Sequence, residues 1–155
     1  MEVGTLSVRE MRATDVRAAH AIRLRVRENQ LSDPSKVVEQ DYHDFMARDT
    51  RSWVCELNGS MIGFAMVDVE KRDVWALFVA PEHELKGAGR KLHDVLCAWY
   101  FQRADVLRLS TSPGTRAEGF YRAAGYTAVG TSASGEIIFE LARPADTEEV
   151  TLTEG

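Results

Sequence analysis

VAPEHELKGAGRKL, residues 79–92, begins at the end of the apolar run VWALFVA and sets two glycines among basic side chains. The nearly continuous apolar run indicates a strand that is buried on both faces. A strand that enters a helix through Gly87 and Gly89 suits an anion, because the first N–H groups of a helix have no partners within it and lie at the positive end of its dipole. The alternative is that the glycines only permit a tight connection between strand and helix.

Two nucleotide-binding motifs fit this loop poorly. The dinucleotide fingerprint requires a third glycine three residues after the second, where this chain has Leu92. The P-loop pattern, GxxxxGK followed by Ser or Thr, occurs nowhere in the chain. Both motifs are therefore poor fits, and a nucleotide-binding protein that uses this loop is kept only as a third alternative.

The composition is that of a globular domain. The 155 residues fit one domain, and 45% hydrophobic with 28% charged residues is ordinary. A net charge of -5, with basic and acidic residues interspersed, argues against a nucleic-acid surface. No apolar run is long enough to cross a bilayer and the N-terminus has no signal core, so we expect a cytoplasmic protein. Cys55 and Cys97 lack CxxC spacing and the histidines are scattered, so we expect reduced thiols and no metal.

Hydrophobic periodicity assigns elements to the first half of the chain. TLSVREMR alternates like a strand, and helical spacing follows Thr14. A second helix is predicted with Asp33 as its N-cap and Pro34 as its first residue. Asn58 and Gly59 suit the tight turn of a hairpin, and DVWALFVA is a further strand.

The second half alternates between helices and strands. A helical stripe runs from the glycines to about Arg103, and the strand DVLRLS follows. In TRAEGFYRAAGY, Thr115 and Glu118 have capping-box spacing, and Gly125 stands where a helix would stop. EIIFEL is the last strand. The predicted order is strand, two helices, three strands, helix, strand, helix and strand.

Two blocks of the sequence resemble the GNAT superfamily of N-acetyltransferases. VAPEHELKGAGRKL is similar to the family's acetyl-CoA pyrophosphate loop, Q/R-x-x-G-x-G/A, between a buried strand and a long helix. TRAEGFYRAAGY is similar to its later helix, A-x-x-F-Y-x-x-x-G-F/Y, and the element order matches up to about Leu141. The resemblance implies an α/β (α+β) fold with a mixed, mostly antiparallel sheet of about six to seven strands and helices on both faces. It covers a single domain, residues 1–142, and leaves 143–155 as a polar acidic tail that we expect to be loosely ordered.

The resemblance also implies that the chain binds acetyl-CoA. Backbone groups at the end of the fourth strand would pair with the pantetheine arm, one N–H would polarise the thioester carbonyl, and the amides of 85–90 would hold the pyrophosphate. The implied cofactor-binding residues are Leu77, Phe78, Val79, Glu84, Leu85, Lys86, Gly87, Ala88, Gly89, Arg90, Lys91, Ser112 and Phe120. Glu84 departs from the family pattern, because a carboxylate replaces the usual Gln or Arg. It either repels the phosphates or pairs with Lys86, Arg90 or another basic neighbour.

Two residues are implied as catalytic. Tyr121 corresponds to the tyrosine that often protonates the departing CoA thiolate, and the alternative is a core aromatic. The amine must be neutral to attack, although its pKa is near ~10, so a base is needed. Asp73 lies where the family's histone acetyltransferases carry a glutamate that acts through water. A solvated turn residue is the alternative there, and Glu70 is a further candidate.

The acceptor is the part of the reaction that the sequence defines least. The resemblance implies an acyltransferase that moves the acetyl group to a primary amine by direct attack. Glu28, Asn29 and Asp33 would hold a cationic substrate, or else form a solvated loop with helix caps. A small-molecule amine is the first choice of acceptor and a protein or peptide amine the second. A non-catalytic acyl-CoA-binding module is the rival function, and a homodimer stays open.

Overall fold

Within residues 4–26, 37–84 and 86–145, which the computed structural model describes, the chain forms seven strands and four helices. The strands are β1 (Leu6–Glu10), β2 (Thr50–Leu57), β3 (Ser60–Asp68), β4 (Asp73–Val79), β5 (Val106–Thr111), β6 (Thr127–Thr131) and β7 (Ile137–Ala142). The helices are α1 (Val16–Arg25), α2 (Glu39–Met46), α3 (Ala88–Tyr100) and α4 (Arg116–Ala123). The predicted residues Glu28, Asn29, Asp33, Pro34 and Leu85, and the tail from 146 onward, lie outside the described residues. In the described part of the chain, no helix is long and apolar enough to span a membrane.

All strands join one sheet, in the order β1-β2-β3-β4-β5-β7-β6. Only β4 and β5 pair in parallel, and the other neighbours are antiparallel. This confirms the predicted mixed, mostly antiparallel sheet. The elements that we derived from periodicity omitted β6, whose five residues are all exposed and therefore show no buried side to alternate with.

The helices cover both faces of the sheet, as predicted. On one face, Leu92 and Leu96 of α3 and Tyr121 of α4 pack in a cluster that includes Ile62 and Val67 of β3. On the other face, a second cluster joins α1 and α2 to the strands, and its buried members are Met11, Val16, Ala19, Ile22, Tyr42, Phe45, Val54, Phe64, Met66, Ala76 and Ala80. The sheet is thus the middle of three layers.

Helix α2 begins later than the sequence suggested. Its N-cap is Val38, which has extended backbone angles, and the Val38 N–H donates to Asp41 Oδ2 at 2.8 Å. The predicted start at Pro34 is therefore wrong for this helix, because a residue with extended backbone separates that position from Glu39. The carboxylate of Asp41 supplies the cap that Asp33 was expected to supply.

A bulge in β4 changes which side chains face which helices. Val67 pairs with Val74 and Met66 pairs with Ala76, so Trp75 is the extra residue. As a result Val74 and Leu77 pack on the α3 side, whereas Trp75 and Ala76 both pack on the α1 and α2 side. A bulge bends its strand and increases the local twist. The parallel pairing between β4 and β5 has a single register pair, Asp73–Arg108. Beyond this pair the two strands diverge.

Candidate active site

A cavity of about 710 Å³ opens between β4 and β5 where the two strands diverge, and α3, α4 and the end of α1 complete its wall. Most of the residues that the sequence predicted as catalytic or cofactor-binding line it, namely Leu77, Phe78, Val79, Glu84, Gly87, Ala88, Gly89, Arg90, Phe120 and Tyr121. Asp73, Lys86, Lys91 and Ser112 are described but do not line the cavity. The structure thus brings the two sequence blocks together across one opening.

The glycine loop leaves space for a ligand against the backbone of α3. Gly87 is the N-cap of the helix and has a φ of 89°, a left-handed conformation that favours glycine. A Cβ on Gly89 would lie 3.6 Å from Val79 Cγ2 and 3.9 Å from Phe120 Cε1, so its absence widens the cavity between these side chains. The residues present therefore fit a phosphate-bearing group held at the first turn of a helix.

Glu84 pairs with a basic residue that the sequence had not singled out. Its Oε1 accepts a hydrogen bond from Nη1 of Arg116, the first residue of α4. Both residues line the cavity, and the ion pair joins the loop before α3 to the start of α4. Of the alternatives drawn from the sequence, pairing with a neighbouring cation is therefore the one that the structure contains.

Tyr121 lies in the cavity wall and is otherwise enclosed by aromatic rings. Its side chain is 7% exposed, and its ring contacts Phe120, Tyr126 and Phe139 with centroids 5.2, 5.3 and 6.3 Å away. Burial raises the pKa of the phenol well above its ordinary value. A hydroxyl that stays protonated at neutral pH can donate a proton but is a poor base.

Asp73 lies at the first position of β4, beside the cavity and not in its wall. Burial, followed by the negative charge of Asp68, raises the pKa of its carboxyl to about 6, against an opposing effect of Lys71. Val74, the next residue, does line the cavity. Leu77 is four positions further along the strand, which corresponds to roughly 13 Å between the two residues. At this distance Asp73 would act on an amine beside Leu77 only through a chain of several water molecules.

Ser112 is buried beyond the cavity wall. Within the described residues its Oγ has no hydrogen-bond partner, whereas its carbonyl accepts from Thr115 Oγ1 at 2.8 Å. The preceding residues, Ser110 and Thr111, line the cavity instead. The end of β5 therefore lines the cavity, whereas the predicted residue Ser112, in the turn after it, does not.

Several lining residues were missed from the sequence. Trp75 belongs to an apolar run without alternation, so nothing marked it as turned toward the cavity. Arg116 had a visible signal, because it directly follows the Thr115 cap in the second sequence block. Val26 directly follows the last residue of α1 and lines the cavity.

The site thus consists of a mixed sheet that opens between two parallel strands, with a glycine loop and a tyrosine at the opening. The chain belongs to the acetyltransferase (GNAT) family, whose sequence profile matches residues 16–126. It is therefore an acyltransferase, and enzymes of this family use an amine acceptor. No curated protein sequence shows a significant match.

Solved structures share this fold at low sequence identity. The ribosomal-protein-S18-alanine N-acetyltransferase from Escherichia coli is 20% identical with a TM-score of 0.74, over 89% of this chain and 94% of that chain. A GCN5-related N-acetyltransferase from Rhodopseudomonas palustris is 19% identical with a TM-score of 0.76, over 92% and 98%. The PaiA N-acetyltransferase from Thermoplasma acidophilum, solved in complex with coenzyme A, is 16% identical with a TM-score of 0.72, over 89% and 99%. At these identities the likeness establishes the fold.

Proposed function

We propose that the chain transfers an acetyl group from acetyl-CoA to a primary amine of a small molecule, by direct attack of the amine. The observation that carries this proposal is the cavity between β4 and β5, because it joins a strand edge, a glycine loop and a buried tyrosine in one space. An extended thioester with a phosphate end fits that combination of partners. Acetyl-CoA supplies an activated acyl group to this site.

The edge of β4 is suited to hold an extended arm. On its β3 side the strand pairs from Asp73 to Val79, whereas in register with β5 it has only the pair Asp73–Arg108. The backbone groups of Leu77, Phe78 and Val79 that face the opening are thus available to a ligand that adds as a strand. A backbone N–H in this segment can also stabilise negative charge on a carbonyl oxygen.

The first turn of α3 is suited to hold the phosphates. Its free N–H groups follow Gly87, and Arg90 adds a positive charge to the cavity wall. Lys86 and Lys91 are exposed outside that wall, so they act on phosphates only through the longer-range field. The backbone therefore makes the main contacts in this part of the proposal.

Proton transfer is assigned to two side chains. Tyr121 donates its hydroxyl proton to the departing thiolate, since the hydroxyl is protonated at neutral pH and the residue lines the cavity. Asp73, with a pKa of about 6, is ionised at neutral pH and accepts the proton of the amine through water. These roles need opposite protonation states at pH 7, and the two environments supply them.

The acceptor side of the cavity is apolar in its described part. Val26, Trp75 and Phe78 line it, next to the cluster that packs α1 and α2. A small amine with an apolar body fits this wall better than a strongly charged one. Glu28, Asn29 and Asp33 remain predictions for the same side, in the segment between α1 and α2.

Two measurements on the purified protein test the proposal. Acetyl-CoA should raise the melting temperature, whereas NAD and ATP should not, because a ligand that binds only the folded state stabilises it by mass action. A panel of amines should then release free thiol from acetyl-CoA. Equal shifts with all three ligands would contradict the cofactor assignment. Binding of acetyl-CoA without thiol release for any amine would favour a non-catalytic acyl-CoA-binding module.

A further inference from the structure

The ion pair between Glu84 and Arg116 lies at the cavity and is exposed to solvent. The side chain of Arg116 is 52% exposed and that of Glu84 is 26% exposed. They come from different elements, because Glu84 follows the short 3-10 turn Pro81–His83 and Arg116 begins α4. An exposed pair of this kind contributes little to the stability of the fold, so another ligand can replace either member.

The charges of the cavity wall indicate that Glu84 is the member of the ion pair that an anionic ligand would replace. Among the described residues that line the cavity, Glu84 is the only carboxylate, and the cationic side chains are Arg90 and Arg116. A phosphate that enters the cavity meets Arg90, which has no ion pair with Glu84, and Arg116, which has one. Arginine binds phosphate through paired, charge-assisted N–H donors, which a carboxylate also occupies.

We propose that Arg116 binds a phosphate group of coenzyme A and that Glu84 is the counterion from which this phosphate displaces it. The inference rests on the proposed function, since it requires that the cavity takes CoA. It explains why the carboxylate at the first position of the loop is compatible with a phosphate site. Before the cofactor binds, Glu84 neutralises and positions Arg116, and afterwards the phosphate takes over this role.

A simpler account must be distinguished from this exchange. If the ion pair persists in the complex, Arg116 only neutralises Glu84, and its removal weakens CoA binding because an unpaired carboxylate then repels the phosphates. In that case Arg116 has no effect once Glu84 is neutral. The two accounts therefore predict different effects of replacing Arg116 on CoA affinity in a protein that already carries Glu84→Gln.

The test is calorimetric titration of CoA into four proteins at low salt: the parent, Glu84→Gln, and Glu84→Gln combined with either Arg116→Gln or Arg122→Gln. Arg122 is the matched control, because it is 51% exposed, lies on the same helix and pairs with Glu118 instead. Glu84→Gln should tighten CoA binding. Adding Arg116→Gln should then weaken it by at least about tenfold, as expected for lost hydrogen bonds to a charged group. Adding Arg122→Gln should change it by less than about twofold, because a distant exposed charge is screened.

The outcomes separate the inference from the function on which it rests. If Arg116→Gln and Arg122→Gln have the same effect in this background, the exchange is wrong while the cofactor assignment stands. If the parent itself does not bind CoA, both fail. Titration of 3′-dephospho-CoA identifies the phosphate, because loss of the Arg116 effect indicates the 3′-phosphate and its retention indicates the pyrophosphate. Melting temperatures of the four proteins without ligand should agree closely, since all three positions are at the surface.

Discussion

Asp73 and Asp68 are Cα partners in the antiparallel ladder between β3 and β4. Asp68 is 2% exposed and accepts hydrogen bonds from Arg48 and from the backbone N–H of Lys71. Asp73 is partly buried opposite this residue, and burial, followed by the charge of Asp68, raises its pKa to about 6. A carboxyl in such a position changes its protonation state close to neutral pH, which an exposed aspartate does not do.

Asp73→Asn should lower the rate of acetyl transfer most at neutral pH and least at high pH. Near pH 7 most of the amine is protonated and needs a base, whereas near its own pKa it supplies its own lone pair. We expect a loss of about a hundredfold at pH 7 that shrinks toward pH 10. The rates of acetyl transfer by both proteins are measured from pH 7 to pH 10. Parallel pH–rate profiles would show that Asp73 is not the base. Glu70→Gln, at an exposed position, tests the other candidate, and its rate profile should match that of the parent if Asp73 is the base.

The same substitution should change how stability depends on pH. The raised pKa means that the folded state holds a proton between about pH 4 and pH 6 that the unfolded chain has lost. The contribution of Asp73 to the free energy of unfolding therefore falls as pH rises through this window, and the Asn variant lacks this contribution. From pH 4 to pH 7, the difference between the two proteins should move in favour of the Asn variant by on the order of 2 kcal/mol. Urea denaturation at several pH values measures it, and a constant difference would refute the burial argument.

Tyr121→Phe should reduce turnover by roughly a hundredfold while CoA affinity stays within about twofold of the parent. Only the hydroxyl is removed, and the ring can keep its contacts with Phe120, Tyr126 and Phe139. Tyr126→Phe is the control. Its hydroxyl lies 2.7 Å from His93 Nε2 and away from the cavity, so it should cost about 1 kcal/mol of stability and little turnover. Equal turnover of the two variants would reduce Tyr121 to a packing role.

Gly89→Glu should abolish the rise in melting temperature that acetyl-CoA causes, because a long anionic side chain would enter the space beside the first turn of α3. Gly89→Ala is the matched control. Its Cβ would be in ordinary van der Waals contact with Val79 and Phe120, so the fold should be kept and binding should weaken less. Thermal shifts with and without acetyl-CoA compare the two. Full binding by the Glu variant would mean that the ligand does not approach this turn.

Periodicity and motifs predicted most of the fold but not its exceptions. The helices carry clear stripes, and the Asn58–Gly59 turn has the positive φ values that its hairpin was expected to need. β6 was missed because none of its residues is buried. The start of α2 was misplaced because a favourable Asp-Pro pair precedes it in the sequence, whereas the N-cap is Val38, whose N–H donates to Asp41 inside the helix. Side-chain chemistry marks caps, but tertiary packing decides which one is used.

The candidate site was predictable where a motif spans it and not where distant segments meet. Gly87, Gly89 and Tyr121 line the cavity as the two sequence blocks implied. The partner of Glu84 lies 32 residues further along the chain, and such a pairing becomes visible only when the loop and α4 are brought together. The position of Trp75 likewise depends on a bulge, which a uniformly apolar run does not reveal.

The divergence of β4 from β5 also has a mechanical consequence. The sheet consists of two halves, β1 to β4 and β5 with β7 and β6, which share a single strand-to-strand register pair. A ligand arm that adds to the edge of β4 would lie between β4 and β5 like an additional strand. It would hold the two halves of the sheet together. Part of the rigidity of this domain would then depend on the bound ligand, and would be lost each time the ligand is released. Amide exchange along the facing edges of β4 and β5 should slow when CoA is bound and recover when it leaves.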